Sequence, residues 1–257
     1  QGRAMSNNLA GYTAFITGVS SGLGLSHARV LAQRGANVAI SDNKQENLDR
    51  AAAELKADGL AALCLRADNR VVADVRAAVA AAEQEFGKVD ILVNNAGISG
   101  MQARIEDIDE AFWDNLFDTH VKGAFFTTQA VAPGMKARRY GRIINTGSVF
   151  AMTGAPVMCH YTGAKGALTA LTRAWARELS PFGITVNTVS PGLVETPMTA
   201  GDLTPEHRAQ IVSGMLIGRV LQPIEISYAV AWLASREADA VTGQNISPNG
   251  GQAVVGI

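Results

Sequence analysis

Short apolar runs alternate along the chain with longer segments in which apolar residues recur every three to four positions. The runs at 13–17, 37–41 and 61–66 read as strands, and each precedes an Ala-rich amphipathic stretch, at 26–33, 46–58 and 71–86. The rhythm continues with a strand at 91–93 before a long helix at 110–135, and a strand at 141–146 before a helix at 161–180. A strand at 184–190 then leads into a segment rich in Pro and Gly. Strand, helix, strand at this spacing demands right-handed crossovers and a parallel sheet covered on both faces. The predicted fold class is α/β, a doubly wound parallel sheet of Rossmann-like, three-layer αβα form. Beyond 190 the rhythm lapses: 191–217 is rich in Gly, Met, Thr and Pro, 225–234 reads as a helix and 244–247 as a last strand. The 192–218 segment reads as a substrate lid that orders on binding.

Composition narrows the class of partner. A chain of 257 residues, 47% hydrophobic and 18% charged, can bury one large core, so 5–257 is expected to be a single domain. Gln1-Gly2-Arg3-Ala4 reads as a protease-site and cloning remnant ahead of Met5. A formal charge of −1 with both signs interspersed provides no basic stripe for nucleic acid and no polybasic patch for a membrane. No apolar run approaches the roughly eighteen residues that span a bilayer, and no signal-peptide core opens the chain. A soluble, cytoplasmic protein with small-molecule partners is expected. Cys64 and Cys159 lie far apart and are expected to be buried bystanders in a reducing compartment. His27, His120, His160 and His207 show no ligand-like spacing, so no metal site is expected.

Two polar constellations stand out. Tyr161 and Lys165 are four residues apart on a predicted helix and share one face. An ammonium beside a phenol favours phenolate, which makes Tyr161 a candidate acid/base; a half-buried Tyr beside a solvated Lys is the plain alternative. Between the first strand and helix lies Thr17-Gly18-Val19-Ser20-Ser21-Gly22-Leu23-Gly24. Its glycines let the backbone approach a pyrophosphate while the next helix aims N–H groups at it, so a dinucleotide is the natural ligand. Asp42 ends the second strand, where a carboxylate accepts bonds from ribose hydroxyls and repels a 2′-phosphate. NAD is therefore expected over NADP unless Lys44 offsets the charge, although a turn before Glu46 would also use Asp42. Asp68 and Asn69, ending the third strand, are placed to meet adenine, and Asp68 could equally cap the following helix.

The glycine turn, Asn94-Asn95-Ala96-Gly97, Ser148, the Tyr161/Lys165 pair and the Asn-Thr-Val-Ser-Pro-Gly-Leu-Val-Glu-Thr run at 187–196 occur in one fixed order. Together they resemble the short-chain dehydrogenase/reductase family over nearly the whole chain. The resemblance implies an oxidoreductase in which Tyr161 exchanges a proton with the substrate oxygen while hydride passes between substrate and nicotinamide. It implies that Lys165 holds the nicotinamide ribose and eases ionisation of Tyr161, and that Ser148 bonds the substrate carbonyl. Gly18, Ser20, Gly22 and Gly24 would line the pyrophosphate with Leu23 nearby. Asn95, Ala96 and Gly97 would run along the cofactor, and Pro191, Gly192, Val194 and Thr196 would approach the nicotinamide amide. A homotetramer, or less often a dimer, would form through the helices beginning near Glu110 and Tyr161. Trp113, Phe117, Phe125 and Trp175 would then be interface anchors or ordinary core.

One position departs from the family pattern. His120 stands where an asparagine usually binds a water linking Lys165 to solvent. An imidazole can donate and accept, so His120 is expected to keep a water-linked relay with pH dependence near neutrality, or else merely to pack. Met152, Val157, Met158, His160, Met198, Leu203 and Met215 are expected around the substrate, which points to an apolar secondary alcohol or its ketone. A 3-oxoacyl-carrier-protein reductase is the alternative, although no Arg/Lys cluster marks a phosphopantetheine site. A non-catalytic dinucleotide sensor would rest on His120 alone, since Ser148, Tyr161 and Lys165 are all present.

Overall fold

The computed structural model describes residues 8–19, 22–100 and 102–254. Seven strands form one sheet: β1 (Thr13–Thr17), β2 (Asn37–Asp42), β3 (Leu63–Arg66), β4 (Ile91–Asn94), β5 (Gly141–Thr146), β6 (Ile184–Val189) and β7 (Asn245–Ile246). Their order is β3-β2-β1-β4-β5-β6-β7, and every pairing is parallel. Parallel strands are buried on both faces, which is why these runs read as continuously apolar. Neighbouring residues accordingly serve opposite cores. Ala14 and Ile16, Val38 and Ile40, and Ile91 and Val93 belong to one, while Phe15, Ala39 and Leu92 belong to the other.

The first core is closed by α1 (Gly22–Gln33), α2 (Gln45–Ala57) and, from near the C-terminus, α10 (Pro223–Ala234), through Leu31, Leu48, Leu55 and Val230. Ser26 and His27 of α1 meet Ser227 of α10, with Oγ–Oγ at 2.7 Å and His27 Nδ1–Oγ at 2.8 Å. Burial lowers the His27 pKa to about 3, so this imidazole is neutral structure. The second core is covered by α3 (Val72–Phe86), α5 (Gly123–Arg138) and α7 (Cys159–Leu179), through Val79, Val131, Met135, Trp175 and Leu179. Trp175 is thus core, whereas Trp113 and Phe125 keep substantial exposure; Trp113 stacks on Phe117 at 4.4 Å.

The long helix expected at 110–135 is interrupted. A helix α4 (Glu110–Phe117) passes into a π-helical turn at Asp118–Lys122 before α5 begins. Asn69 Nδ2 donates to the Thr119 carbonyl at 3.2 Å, satisfying backbone in the widened turn. Nothing in the apolar periodicity reports one extra residue per turn. The cysteines also differ from expectation: Cys64 is half-buried and Cys159 is exposed. A short α6 (Phe150–Thr153) follows β5. Two more short helices, α8 (Pro197–Asp202) and α9 (Pro205–Gly214), build the segment expected to act as a lid. Both begin Thr-Pro: Thr196 Oγ1 accepts from Thr199 N at 3.2 Å and Thr204 Oγ1 from His207 N at 3.2 Å, with proline at the first helical position.

Candidate active site

All the strands point the same way, so their carboxyl ends share one edge, and the strand order reverses between β1 and β4. At such a reversal the flanking loops diverge and leave a crevice. A cavity of about 520 Å³ occupies it, lined from Asp42 and Asp68 at one end, past Gly18, Gly22 and Gly24, to Ser148, Tyr161 and Lys165 at the other. Leu23, Asn69, Asn95, Ala96, Gly97, Pro191, Gly192, Val194, Thr196 and His120 also line it. Ser20 lies outside the described residues.

The glycine turn fits a dinucleotide. Gly18 has φ +71°, and a Cβ there would come 2.5 Å from Ala96 Cα; a Cβ on Gly24 would come 2.7 Å from Asn95 Nδ2 and strike the Gly18 carbonyl oxygen. At Gly18 and Gly24 side chains are excluded, so at these two positions bare backbone borders the cavity beside the start of α1, an arrangement that can receive a phosphate group. Asn95 staples the turn to the β4 loop, its Nδ2 donating to Gly18 O at 2.7 Å and Thr17 O at 3.1 Å. Thr17 Oγ1 accepts in return from the N–H groups of Asn95 and Ala96, at 3.1 and 3.0 Å. At the end of β2, Asp42 Oδ1 accepts from Lys44 N at 3.1 Å and Asn47 Nδ2 at 2.7 Å, which fixes the carboxylate at the cavity wall. Lys44 lines the same end, so the cation that could soften a preference against a 2′-phosphate is present.

At the other end α7 carries Tyr161 and Lys165 on one face, with Nζ 5.6 Å from the phenol ring centre. Lys165 is 3% exposed, and its Nζ donates to the Thr146 carbonyl at 2.8 Å. Desolvation lowers its pKa to about 7. Ser148 Oγ accepts from Phe150 N at 3.2 Å, which leaves the hydroxyl hydrogen to donate to a substrate oxygen. The ring of His120 stands edge-on to Tyr161 at 5.6 Å, and a Cβ on Gly97 would lie 2.5 Å from its Cε1. Its Nε2 lies 3.0 Å from Ile98 O and accepts from Ile98 N at 3.1 Å, while Nδ1 is buried with no hydrogen-bond partner among the described residues. Burial, and secondarily the charge of Lys165, hold its pKa well below the usual histidine range. The expectation of a titration near neutrality is therefore corrected: His120 is a neutral ring clamped to the Ile98 backbone.

A second cavity, of about 750 Å³, opens beside the first and shares Ser148, Tyr161, Gly192, Met198 and Thr199 with it. Its walls are Val149, Phe150, Pro156, Val157, Met158, Leu193, Leu203 and Ile211, with polar groups from Ser99, Gln102, His207 and Gln252. Val157 has φ +54°, an unusual conformation for a β-branched residue, and its carbonyl accepts from Ala103 N at 2.8 Å.

A family model described as enoyl-(acyl carrier protein) reductase matches residues 18–253. The chain is 38% identical to 2-(S)-hydroxypropyl-CoM dehydrogenase 3 of Xanthobacter autotrophicus, over 98% of this chain and 100% of that protein. It is 37% identical to a cyclopentanol dehydrogenase of a Comamonas species, over 92% of this chain and 94% of the relative. A solved Sinorhizobium meliloti protein described as a short-chain alcohol dehydrogenase superposes with a TM-score of 0.91 at 35% identity, covering 96% of this chain and 98% of that one. This protein is a short-chain dehydrogenase/reductase.

In this short-chain dehydrogenase the sequence-derived residues converge on one crevice, with corrections in the substrate wall. Met215 is buried in the first core, and His160 is buried against the Phe112 ring at 5.1 Å; neither lines the second cavity, nor does Met152. Asn115, Thr119, Asn47, Ile98, Arg70 and the two glutamines were missed by sequence reasoning. Their place depends on the π turn and on loop conformations that no periodic signal encodes.

Proposed function

We propose that this oxidoreductase transfers a hydride between NAD(H) and an uncharged, apolar secondary alcohol or its ketone. The observation that carries the reading is that Ser148 and Tyr161 line both cavities, one suited to a dinucleotide and one to an apolar molecule. Among the described residues no Lys, Arg, Asp or Glu lines the second cavity, so a substrate with a permanent charge would find no permanent opposite charge there. The relative named for cyclopentanol, an uncharged secondary alcohol, is in keeping with this choice.

The dinucleotide would be held by the Gly18–Gly24 turn, by Asp42 at the ribose hydroxyls and by Lys165 at the second ribose. Its nicotinamide supplies or accepts the hydride. The chain's own residues manage the proton. Ser148 donates to the substrate oxygen and orients it, while Tyr161 takes the alcohol proton during oxidation and returns it during reduction. The Lys165 ammonium favours phenolate and is aimed by the Thr146 carbonyl. The neutral His120 ring packs against the phenol and tethers the Ile98 loop, which makes it a positioning residue. Asp42 supports NAD through repulsion of a 2′-phosphate.

The test is a panel of cyclic, aliphatic and aromatic secondary alcohols and their ketones, run with NAD and NADP in parallel and followed by nicotinamide absorbance. The reading expects turnover of uncharged alcohols with NAD. A preference for acyl thioesters, or equal efficiency with NADP, would displace it.

A further inference from the structure

Beyond the residues it shares with the first, the second cavity is bordered by four polar side chains, Ser99, Gln102, His207 and Gln252. Gln102 and His207 are exposed, and no hydrogen bond among the described residues holds either side chain. Gln252 differs. It is half-buried, and its Oε1 accepts from Leu193 N at 2.7 Å. A backbone N–H can only donate, so the oxygen is the atom that faces Leu193 and the orientation of the amide is settled. What remains for a ligand is Nε2, which has no partner among the described residues and is not sealed from solvent.

The backbone beneath this amide is fixed as well. Gly250 and Gly251 are left-handed, at φ +64° and +76°, a pair of conformations that glycine adopts without strain. Asn249 Oδ1 accepts from Gly251 N at 2.8 Å, and Gln252 N donates to Asn249 O at 3.1 Å. The amide lies where the two cavities join: a Cβ on Gly192, which borders both, would come 2.7 Å from Gln252 Oε1. A single oriented donor in a largely apolar wall is the form that specificity contacts take.

We propose that Gln252 is a specificity-determining residue, its amide N–H donating to a second, uncharged oxygen of the substrate. That oxygen is a carbonyl, ester or ether oxygen remote from the reacting carbon, carried by an otherwise apolar secondary alcohol or ketone. The inference rests on the proposed function and narrows it. A hydrocarbon skeleton would cover the amide without bonding it, and a site that leaves a polar group unpaired discriminates against such a ligand.

Ketones matched in size test this, cyclohexanone against tetrahydropyranone and methyl hexyl ketone against ethyl levulinate. Reduction by NADH is followed by nicotinamide absorbance, and kcat/KM for the oxygen-bearing ketone is divided by that for its hydrocarbon partner. Comparing this ratio between proteins cancels the intrinsic reactivity of the two ketones. Gln252→Leu removes the donor, and the ratio for the pair with the highest wild-type value should fall by about tenfold or more. Gln252→Glu keeps an oxygen for the Leu193 N–H but turns an acceptor toward the substrate oxygen, so the same fall is expected although the loop contact survives. A glutamine that served only to brace the loop would leave the ratio of the Glu variant unmoved. Should Gln252→Leu fail to fold, the Glu variant decides alone. A fall of less than about tenfold in either folded variant overturns the proposal. A wild type that reduces none of the four ketones overturns the proposed function with it, whereas reduction with ratios that neither substitution moves overturns this proposal only.

Discussion

Replacing Lys165 with Met should make the protein more stable and inactive. The side chain is 3% exposed, and burial lowers its pKa from 10.5 to about 7. At about 1.4 kcal/mol per tenfold change in proton affinity, this amounts to a cost of about 5 kcal/mol for the buried ammonium. Methionine is of similar length and carries no charge, but it leaves the Thr146 carbonyl without its donor, a loss of about 1–3 kcal/mol. The net expectation at pH 7 is a gain of about 2–4 kcal/mol, or about 5–10 °C in Tm for a chain of this size. The sign of the pH dependence follows from proton binding. With the folded pKa below the unfolded one, the unfolded chain holds more protons between about pH 7 and 10.5, so wild-type stability rises with pH across that window. The cost is complete below pH 7 and vanishes near 10.5. Thermal melts of both proteins without cofactor, from pH 6.5 to 10, should show the variant's advantage shrink steadily. An advantage that stays flat with pH, or a variant less stable at pH 7, would refute the argument.

Three further outcomes are expected. Tyr161→Phe should lower turnover by about 10²–10⁴ while its affinity for NAD, measured by titration, stays within about twofold. His120→Asn should match or exceed wild-type stability by about 1 kcal/mol in denaturant melts and leave the pH–rate profile near neutrality unchanged. One ring nitrogen can serve either the N–H or the carbonyl of Ile98 at a time, whereas an amide serves both. Gly24→Ala should reduce NAD affinity at least tenfold by titration, because the added Cβ meets Asn95 Nδ2 and the Gly18 carbonyl.

The parts of the fold that periodicity governs were legible in the chain. β1 and β5 fall at the expected 13–17 and 141–146, and the reversal of strand order brings the spaced motifs together. The π turn escaped because five residues are too short a stretch for periodicity to register, and the bonds that mark it, from Asn69 to the Thr119 carbonyl and between His120 and Ile98, join residues far apart in sequence. The neutrality of His120 was equally hidden, since burial and not residue type sets its protonation. Asp68 illustrates the limit at side-chain level. Its position at the end of β3 could be read, but its capture by Arg70 depends on rotamers that adjacent sequence does not fix.

The most direct test uses the best alcohol from the substrate panel with deuterium on the carbinol carbon, incubated with NAD, and mass analysis of the reduced nicotinamide. With wild type the deuterium should appear on the nicotinamide ring, while Tyr161→Phe should bind the same dinucleotide and transfer almost none. Deuterium lost to solvent, or full transfer by the variant, would contradict a reaction in which this phenol moves the proton as hydride passes to the bound cofactor.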